Sequence, residues 1–297
     1  MIIVAVMKAV DFDYEQPHSI AETCRLLAEL GREARVLAGG QTLVPLLAMR
    51  LARPAVVIDI NRVKELQGIE ETGETVAIRA CTRQADALAN PTVNARLPLL
   101  AKALSFVGHV QTRNRGTIGG SLANADPAAE IGLAALALDA DIESHSATGR
   151  RTITIGDFFI SPMVTGLAPE ECLTMVRFPA LSGTVGTGFQ ETSVRRSDFA
   201  LAAAAVQLEV VGGRCRRLAI AIGGAGATPI RVASVEQRLI GSKLDDADLA
   251  EAGKLAHDDI DAMADIHASA SLRRRIAGAL AVRAITEARD EAMHGRA

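Results

Sequence analysis

Tryptophan is absent, and Tyr14 is the single tyrosine in 297 residues, so aromatics make up only 3% of the chain. Reading nucleic-acid bases by stacking needs aromatic platforms, and this composition argues against it. The core must instead be built from Ala, Leu, Ile and Val. Charge of one sign is not concentrated either. The formal net charge is −3, and the one dense basic cluster, Arg273-Arg274-Arg275, falls in a helical pattern. No basic surface for nucleic acid or an anionic membrane is expected. Long apolar runs are missing as well. The strongest, near Phe199 to Leu208, is well short of the roughly 18 residues a membrane span needs. The apolar start, Met1 to Met7, is short, and its positive charge, Lys8, follows the run. That is a poor secretion signal, and a cytoplasmic chain with no membrane span is expected.

Thiols and imidazoles are sparse and scattered. Cys24, Cys81, Cys172 and Cys215 form no C-x-x-C pair, which disfavours a disulfide framework, a zinc site and an iron–sulfur cluster. The histidines at 18, 109, 145, 257, 267 and 294 show no metal spacing. Only His109, shortly before a glycine-rich loop, merits attention.

What the chain does have is length and apolar content. At 49% hydrophobic it can build two domains and a substantial core. Strands and helices alternate in the first half. Ser19 to Glu22 fits a capping box, and Ile20, Cys24, Leu27 and Leu30 follow at helical spacing up to Gly31. Val36 to Ala38, Ala55 to Ile60 and Thr75 to Ala80 read as strands, and Pro98 to Val107 as a helix. A helix is expected over Pro127–Leu138, with Asp126 as N-cap and Pro127 at its first position. Ile153 to Phe159 and Cys172 to Phe178 look like further strands. The uncharged, glycine-rich segment Pro179 to Gln190 reads as a linker. Beyond it, Leu201 to Val211 and Arg214 to Ile222 look like paired strands turned by Gly212-Gly213, with helices from about Val232.

Two glycine loops carry the chemistry. Ala38-Gly39-Gly40-Gln41-Thr42 lies between a strand and a helix. Its glycines allow close backbone approach to a ligand, and the helix start offers unpaired N–H groups and a positive dipole end. Such a site holds an anion without lysine or arginine. Thr42 is placed to cap the helix or donate to a phosphate oxygen. Thr117-Ile118-Gly119-Gly120-Ser121 repeats the arrangement before the helix that carries Glu130, a residue placed to accept hydrogen bonds from sugar-like hydroxyls. Two such loops would grip a diphosphate from both sides. Neither matches G-x-G-x-x-G or the P-loop.

Taken together, Ala-Gly-Gly-Gln-Thr-Leu at 38–43 and Thr-Ile-Gly-Gly-Ser-Leu-Ala-Asn-Ala-Asp-Pro-Ala-Ala-Glu at 117–130 closely resemble the FAD motifs of one family. It is the medium, flavin-binding subunit of the xanthine dehydrogenase and carbon monoxide dehydrogenase family. The resemblance extends to Arg-Arg-Ser-Asp-Phe-Ala at 195–200 and Gly-Gly-Ala-Gly-Ala-Thr-Pro-Ile-Arg at 223–231. It implies an α+β protein. Residues 1–180 would form a two-lobed FAD domain of the vanillyl-alcohol-oxidase (PCMH) type. Residues 181–297 would form a smaller domain of antiparallel sheet and helices. The resemblance also implies that residues 38–42 and 117–121 wrap the pyrophosphate of a non-covalent FAD. Glu130 would lie near its sugar-like part, and Asp198 at an acidic position near the flavin. Phe189 would stand where some members place a tyrosine beside the isoalloxazine. The implied partners are a large molybdopterin-binding subunit and a small [2Fe-2S] subunit, in a dimer of heterotrimers. Electrons would reach FAD from the clusters and leave to an external acceptor. Two other functions compete with this one: a self-sufficient FAD-dependent oxidase, and an assembly module that has lost its flavin.

Overall fold

The computed structural model describes residues 8–180, 185–195 and 197–294. The apolar start at 1–7, residues 181–184 of the expected linker, and Arg196 lie outside the described residues.

A small parallel sheet opens the chain. It is built from β1 (Asp13–Glu15), α1 (Ile20–Leu30), β2 (Ala34–Leu37), α2 (Leu43–Ala48) and β3 (Val56–Asp59), with strand order β1-β3-β2. Half of the expected α1 capping box forms: Ser19 Oγ accepts from the N–H of Glu22 at 3.1 Å, whereas the Glu22 carboxylate accepts from the N–H of His18, one residue before the N-cap, at 2.8 Å. Gly31 ends the helix at φ 53°, a left-handed value that favours glycine. Cys24, Leu26 and Leu27 form the buried face of α1.

The second lobe is an antiparallel sheet in the order β4-β5-β10-β6-β7. Strands β4 (Ile69–Thr72) and β5 (Thr75–Arg79) lead into a helical excursion. It comprises α3 (Gln84–Ala89), α4 (Pro91–Arg96), α5 (Pro98–Phe106), α6 (Val110–Arg115), α7 (Ile118–Asn124) and α8 (Glu130–Ala137). The chain then returns through β6 (Asp141–Ser146), β7 (Gly149–Thr154), α9 (Ile155–Phe158), the hairpin β8 (Phe159–Ser161) and β9 (Val164–Thr165), and β10 (Cys172–Pro179).

The last unit is a four-stranded antiparallel sheet of β11 (Val185–Ser193), β12 (Ala200–Val211), β13 (Arg214–Gly223) and β14 (Ile230–Arg231). Helices α10 (Ala233–Leu239), α11 (Asp246–Asp258) and α12 (Ala270–His294) follow. The β12–β13 hairpin turns at Gly212 and Gly213, both at positive φ, which is what a two-residue hairpin turn requires. This sheet is covered on both faces. Ala203 and Ala205 join the core of the first two lobes, while Ala202, Ala204, Val206 and Leu208 join a core with α10–α12. Double-sided burial explains why β12 is apolar at nearly every position, without polar alternation.

Four expectations change. Val185 to Gln190 is strand β11, not linker. Its glycines are there because α12 lies directly on the strand: a Cβ on Gly186 would sit 1.8 Å from the carbonyl oxygen of Ala288, and one on Gly188 would sit 2.0 Å from that of Ala284. The helix expected from Pro127 begins at Glu130 with Ala129 as N-cap. Asp126 instead accepts from the N–H of Ala128 in a preceding turn. The strand expected over Ile153–Phe159 ends at Thr154 and gives way to α9. Residues 118–121 are the first turn of α7 rather than a loop before a helix, with Thr117 as N-cap.

Candidate functional site

Parallel β-sheets collect ligands at the carboxyl ends of their strands. Here the 38–42 turn leaves β2, Asp59 and Asn61 leave β3, and Gln16 follows β1 at the same edge. A cleft of about 340 Å³ opens there, lined by Gly39, Gly40, Gln41, Asp59, Asn61 and Arg115 among others. Burial disfavours the charged form of Asp59. Hydrogen bonds from the Tyr14 hydroxyl and from Asn61 outweigh it and hold the carboxyl below its ordinary pKa, so it stays ionised.

The two turns meet. A Cβ on Gly39 would lie 2.4 Å from the carbonyl oxygen of Arg115 and 2.8 Å from Cα of Gly116, and one on Gly120 would come within 3.7 Å of Cβ of Ala38. Gly40 sits at φ 73°, a conformation that favours glycine. Gly119 is packed on the other side, where a Cβ would be 2.7 Å from Cα of Ala80.

Their hydrogen-bonding states differ. Among the described residues, no acceptor pairs with the N–H groups of Gly39, Gly40, Gln41 and Thr42. Thr42 does not cap α2 with its side chain. In the second turn the main-chain donors are already used. Ile118 N–H donates to Thr82, Gly119 N–H to Ala80, Gly120 N–H to the Thr117 hydroxyl oxygen, and Ser121 N–H to the Thr117 carbonyl. That corrects the expectation of free amides in both turns. Thr117 is buried and its hydroxyl oxygen caps α7, so the second turn can offer the Ser121 hydroxyl and the close-packed surface of Gly120. The donor set suits an anion such as a diphosphate, held mainly by first-turn amides.

Glu130 is the first residue of α8. Burial raises its pKa to about 7, with its own N–H opposing and Asp126 adding to the rise. Glu191 on β11 is raised to about 8, by burial and by repulsion from Glu130. Its Oε2 is buried without a hydrogen-bond partner among the described residues. Asp198 is exposed in the turn between β11 and β12, where its N–H donates to the carbonyl of Arg195. Among the described residues, no hydrogen bond or ion pair joins Asp198 to either glycine turn. Phe189 is 2% exposed and packs on Phe106 with centroids 5.1 Å apart. It is a core residue at the boundary of β11 and α5. His109 is exposed at the start of α6 and takes no part in the cleft.

Sequence reasoning missed Asn61, Arg83, Arg115 and Glu191. Asn61 had a signal, since it directly follows the expected buried strand at 55–60. Arg115 had one too, because it lies two residues before Thr117, whereas Arg83 and Glu191 had none, because their neighbours come from distant segments.

Residues 10–181 match the family described as the FAD-binding domain in molybdopterin dehydrogenase. Residues 188–288 match the CO dehydrogenase flavoprotein C-terminal domain. The nicotine 6-hydroxylase medium subunit of Paenarthrobacter nicotinovorans is 39% identical, with 95% of this chain and 99% of the relative covered. Among solved structures, the carbon monoxide dehydrogenase from Hydrogenophaga pseudoflava superimposes at a TM-score of 0.92. Its identity is 34%, and 94% of this chain and 98% of that one are covered. Quinoline 2-oxidoreductase from Pseudomonas putida 86 gives a TM-score of 0.92 at 35% identity, covering 97% and 100%.

Proposed function

Because the chain belongs to the family of FAD-binding medium subunits of heteromeric molybdenum hydroxylases, we propose that the cleft between its two turns holds the diphosphate of a non-covalent FAD. Ala38, Gly39, Gly40, Gln41 and Thr42 supply main-chain donors. Ser121 supplies a hydroxyl and Gly120 the close surface facing them, while Thr117, Ile118 and Gly119, all buried, hold that turn in place from behind. Glu130 takes a sugar-like hydroxyl, as donor or acceptor according to its protonation, and Asp198 borders the flavin. The observation that carries this reading is the contact of Gly39 with the Arg115 carbonyl, beside four unpaired amides.

When bound, the isoalloxazine would supply the redox step, and the chain would orient it. Molybdopterin and the [2Fe-2S] clusters of such assemblies reside in other subunits. This chain's four cysteines are buried and free. Among the described residues, no group of three or more His, Cys, Asp or Glu is arranged to hold a metal ion. The subunit therefore takes electrons from a small iron–sulfur partner and passes them to an external acceptor, while a large molybdopterin-binding partner handles substrate. We place these chains in a dimer of heterotrimers in the cytoplasm. Residues 1–180 form the FAD domain and 181–297 the C-terminal domain. No described helix is long and apolar enough to cross a membrane.

The test is direct. The purified chain should carry FAD, or take it up on reconstitution, and should turn over no substrate without partner chains. Absence of flavin after reconstitution would leave an assembly module. Bleaching of bound flavin by a substrate, with no partner present, would make the chain an oxidase.

A further inference from the structure

The two turns belong to different lobes, and one side-chain relay ties them together. Asn61 follows β3, and its Nδ2 donates to the carbonyl of Ala38 at 2.7 Å and to Asp59 Oδ1 at 2.5 Å. Its Oδ1 accepts from Nη2 of Arg83 at 2.7 Å. Nη1 of Arg83 donates to the carbonyl of Arg115 at 2.5 Å, the same oxygen that Gly39 approaches. Asp59, 8% exposed, anchors the near end and is itself held by Tyr14 and Gln16. At the far end, the N–H of Gln84 donates to the carbonyl of Gly116 at 2.9 Å, and Arg83 and Thr117 form an isolated backbone bridge.

We propose that Asn61 and Arg83 are positioning residues that set the distance between the two turns, and through it the fit of the diphosphate. This rests on the FAD reading above. The glycine contact sets a lower limit on the spacing by repulsion. It supplies no attraction, and the relay does. Both ends of the Asn61 amide are specified. Flipped, it would aim its N–H groups at the Arg83 guanidinium and its oxygen at the Ala38 carbonyl and the Asp59 carboxylate, an arrangement with no donor–acceptor match. Arg83 makes its two bonds from the two Nη atoms of one planar fork, a geometry that a lysine ammonium does not reproduce.

The experiment uses the full chain with FAD as probe. Affinity is followed by quenching of flavin fluorescence, the environment of the bound flavin by visible circular dichroism, and the fold by far-ultraviolet circular dichroism of the apo chain. Arg83→Met and Asn61→Ala should each weaken FAD binding at least tenfold and change the visible dichroism of what remains bound. Arg83→Lys keeps one of the two bonds and should fall between wild type and Arg83→Met in both readouts. It carries the test should Arg83→Met fail to fold. A merely structural role would lower apo stability without altering the bound-flavin spectrum. If wild type and folded variants bind FAD with equal affinity and identical spectra, the relay is not a positioning device. If wild type itself takes up no FAD, the flavoprotein reading fails and the relay falls with it.

Discussion

A methyl group on Gly39 should separate the two turns and release the cofactor from an otherwise folded chain. The Cβ of Gly39→Ala would start 2.4 Å from the Arg115 carbonyl oxygen and 2.8 Å from Cα of Gly116. Both neighbours are backbone, so no rotamer change relieves the clash. Contacts under 3.0 Å are essentially never seen, so the turns must part by at least the roughly 0.6 Å between 2.4 and 3.0 Å. A charge-assisted hydrogen bond that starts at about 2.9 Å is then stretched to about 3.5 Å, the outer limit for such a bond. Two bonds weakened in this way lose about 1.5 kcal/mol each. The total, about 3 kcal/mol, corresponds to about a 100-fold rise in the Kd for FAD. The apo chain should lose only the ordinary cost of overpacking, about 1–3 kcal/mol. Isothermal titration with FAD, beside thermal unfolding of the apo chain, separates the two effects. An unchanged Kd, with the apo chain destabilised as expected, would show that the spacing of the turns does not govern binding.

Three further outcomes are expected. Gly188→Ala should cost about 3 kcal/mol or more in thermal unfolding, because its Cβ meets the α12 backbone at 2.0 Å, whereas Gly156→Ala, with nothing within 4 Å, should be near neutral; equal effects would refute the packing argument. Glu130 and Glu191, with pKa values raised to about 7 and about 8, hold their protons more tightly when folded. Their contribution is full below about pH 4.5 and is lost as pH rises through 7 and 8. The apo chain should thus weaken across that window, and Glu130→Gln with Glu191→Gln should flatten the profile; a wild-type profile that is flat or rising there would contradict the assignment. Lys102 donates at 2.6 Å to Glu287, Glu291 and the Thr187 carbonyl, linking α5 to α12 and β11. Lys102→Met should leave two carboxylates facing each other and cost about 2 kcal/mol. Adding Glu287→Gln should restore part of that in chemical denaturation, and no recovery would argue against electrostatic coupling.

Much of the fold was legible because it is written in local terms. Ser19 and Glu22 announce a helix start, Gly212-Gly213 a hairpin, and the β-branched run at 56–58 a buried strand. The misreadings share one cause. Gly186 and Gly188 look like linker residues until α12, a hundred residues later in the chain, is found lying on them. Asp126-Pro127 looks like a helix start until the chain from Pro127 meets Gly224, whose N–H donates to the Pro127 carbonyl.

The glycines at 39–40 and 119–120, and the chemistry they permit, follow from residue type alone, since a residue without Cβ allows such close approach and, at Gly40, favours the positive φ. The meeting of the two turns, the internal use of the second turn's amides, the burial that raises Glu130 and Glu191, and the Asn61–Arg83 relay belong to the tertiary structure. Each depends on which distant segments share a hydrogen bond or exclude water, and sequence separation carries no record of that.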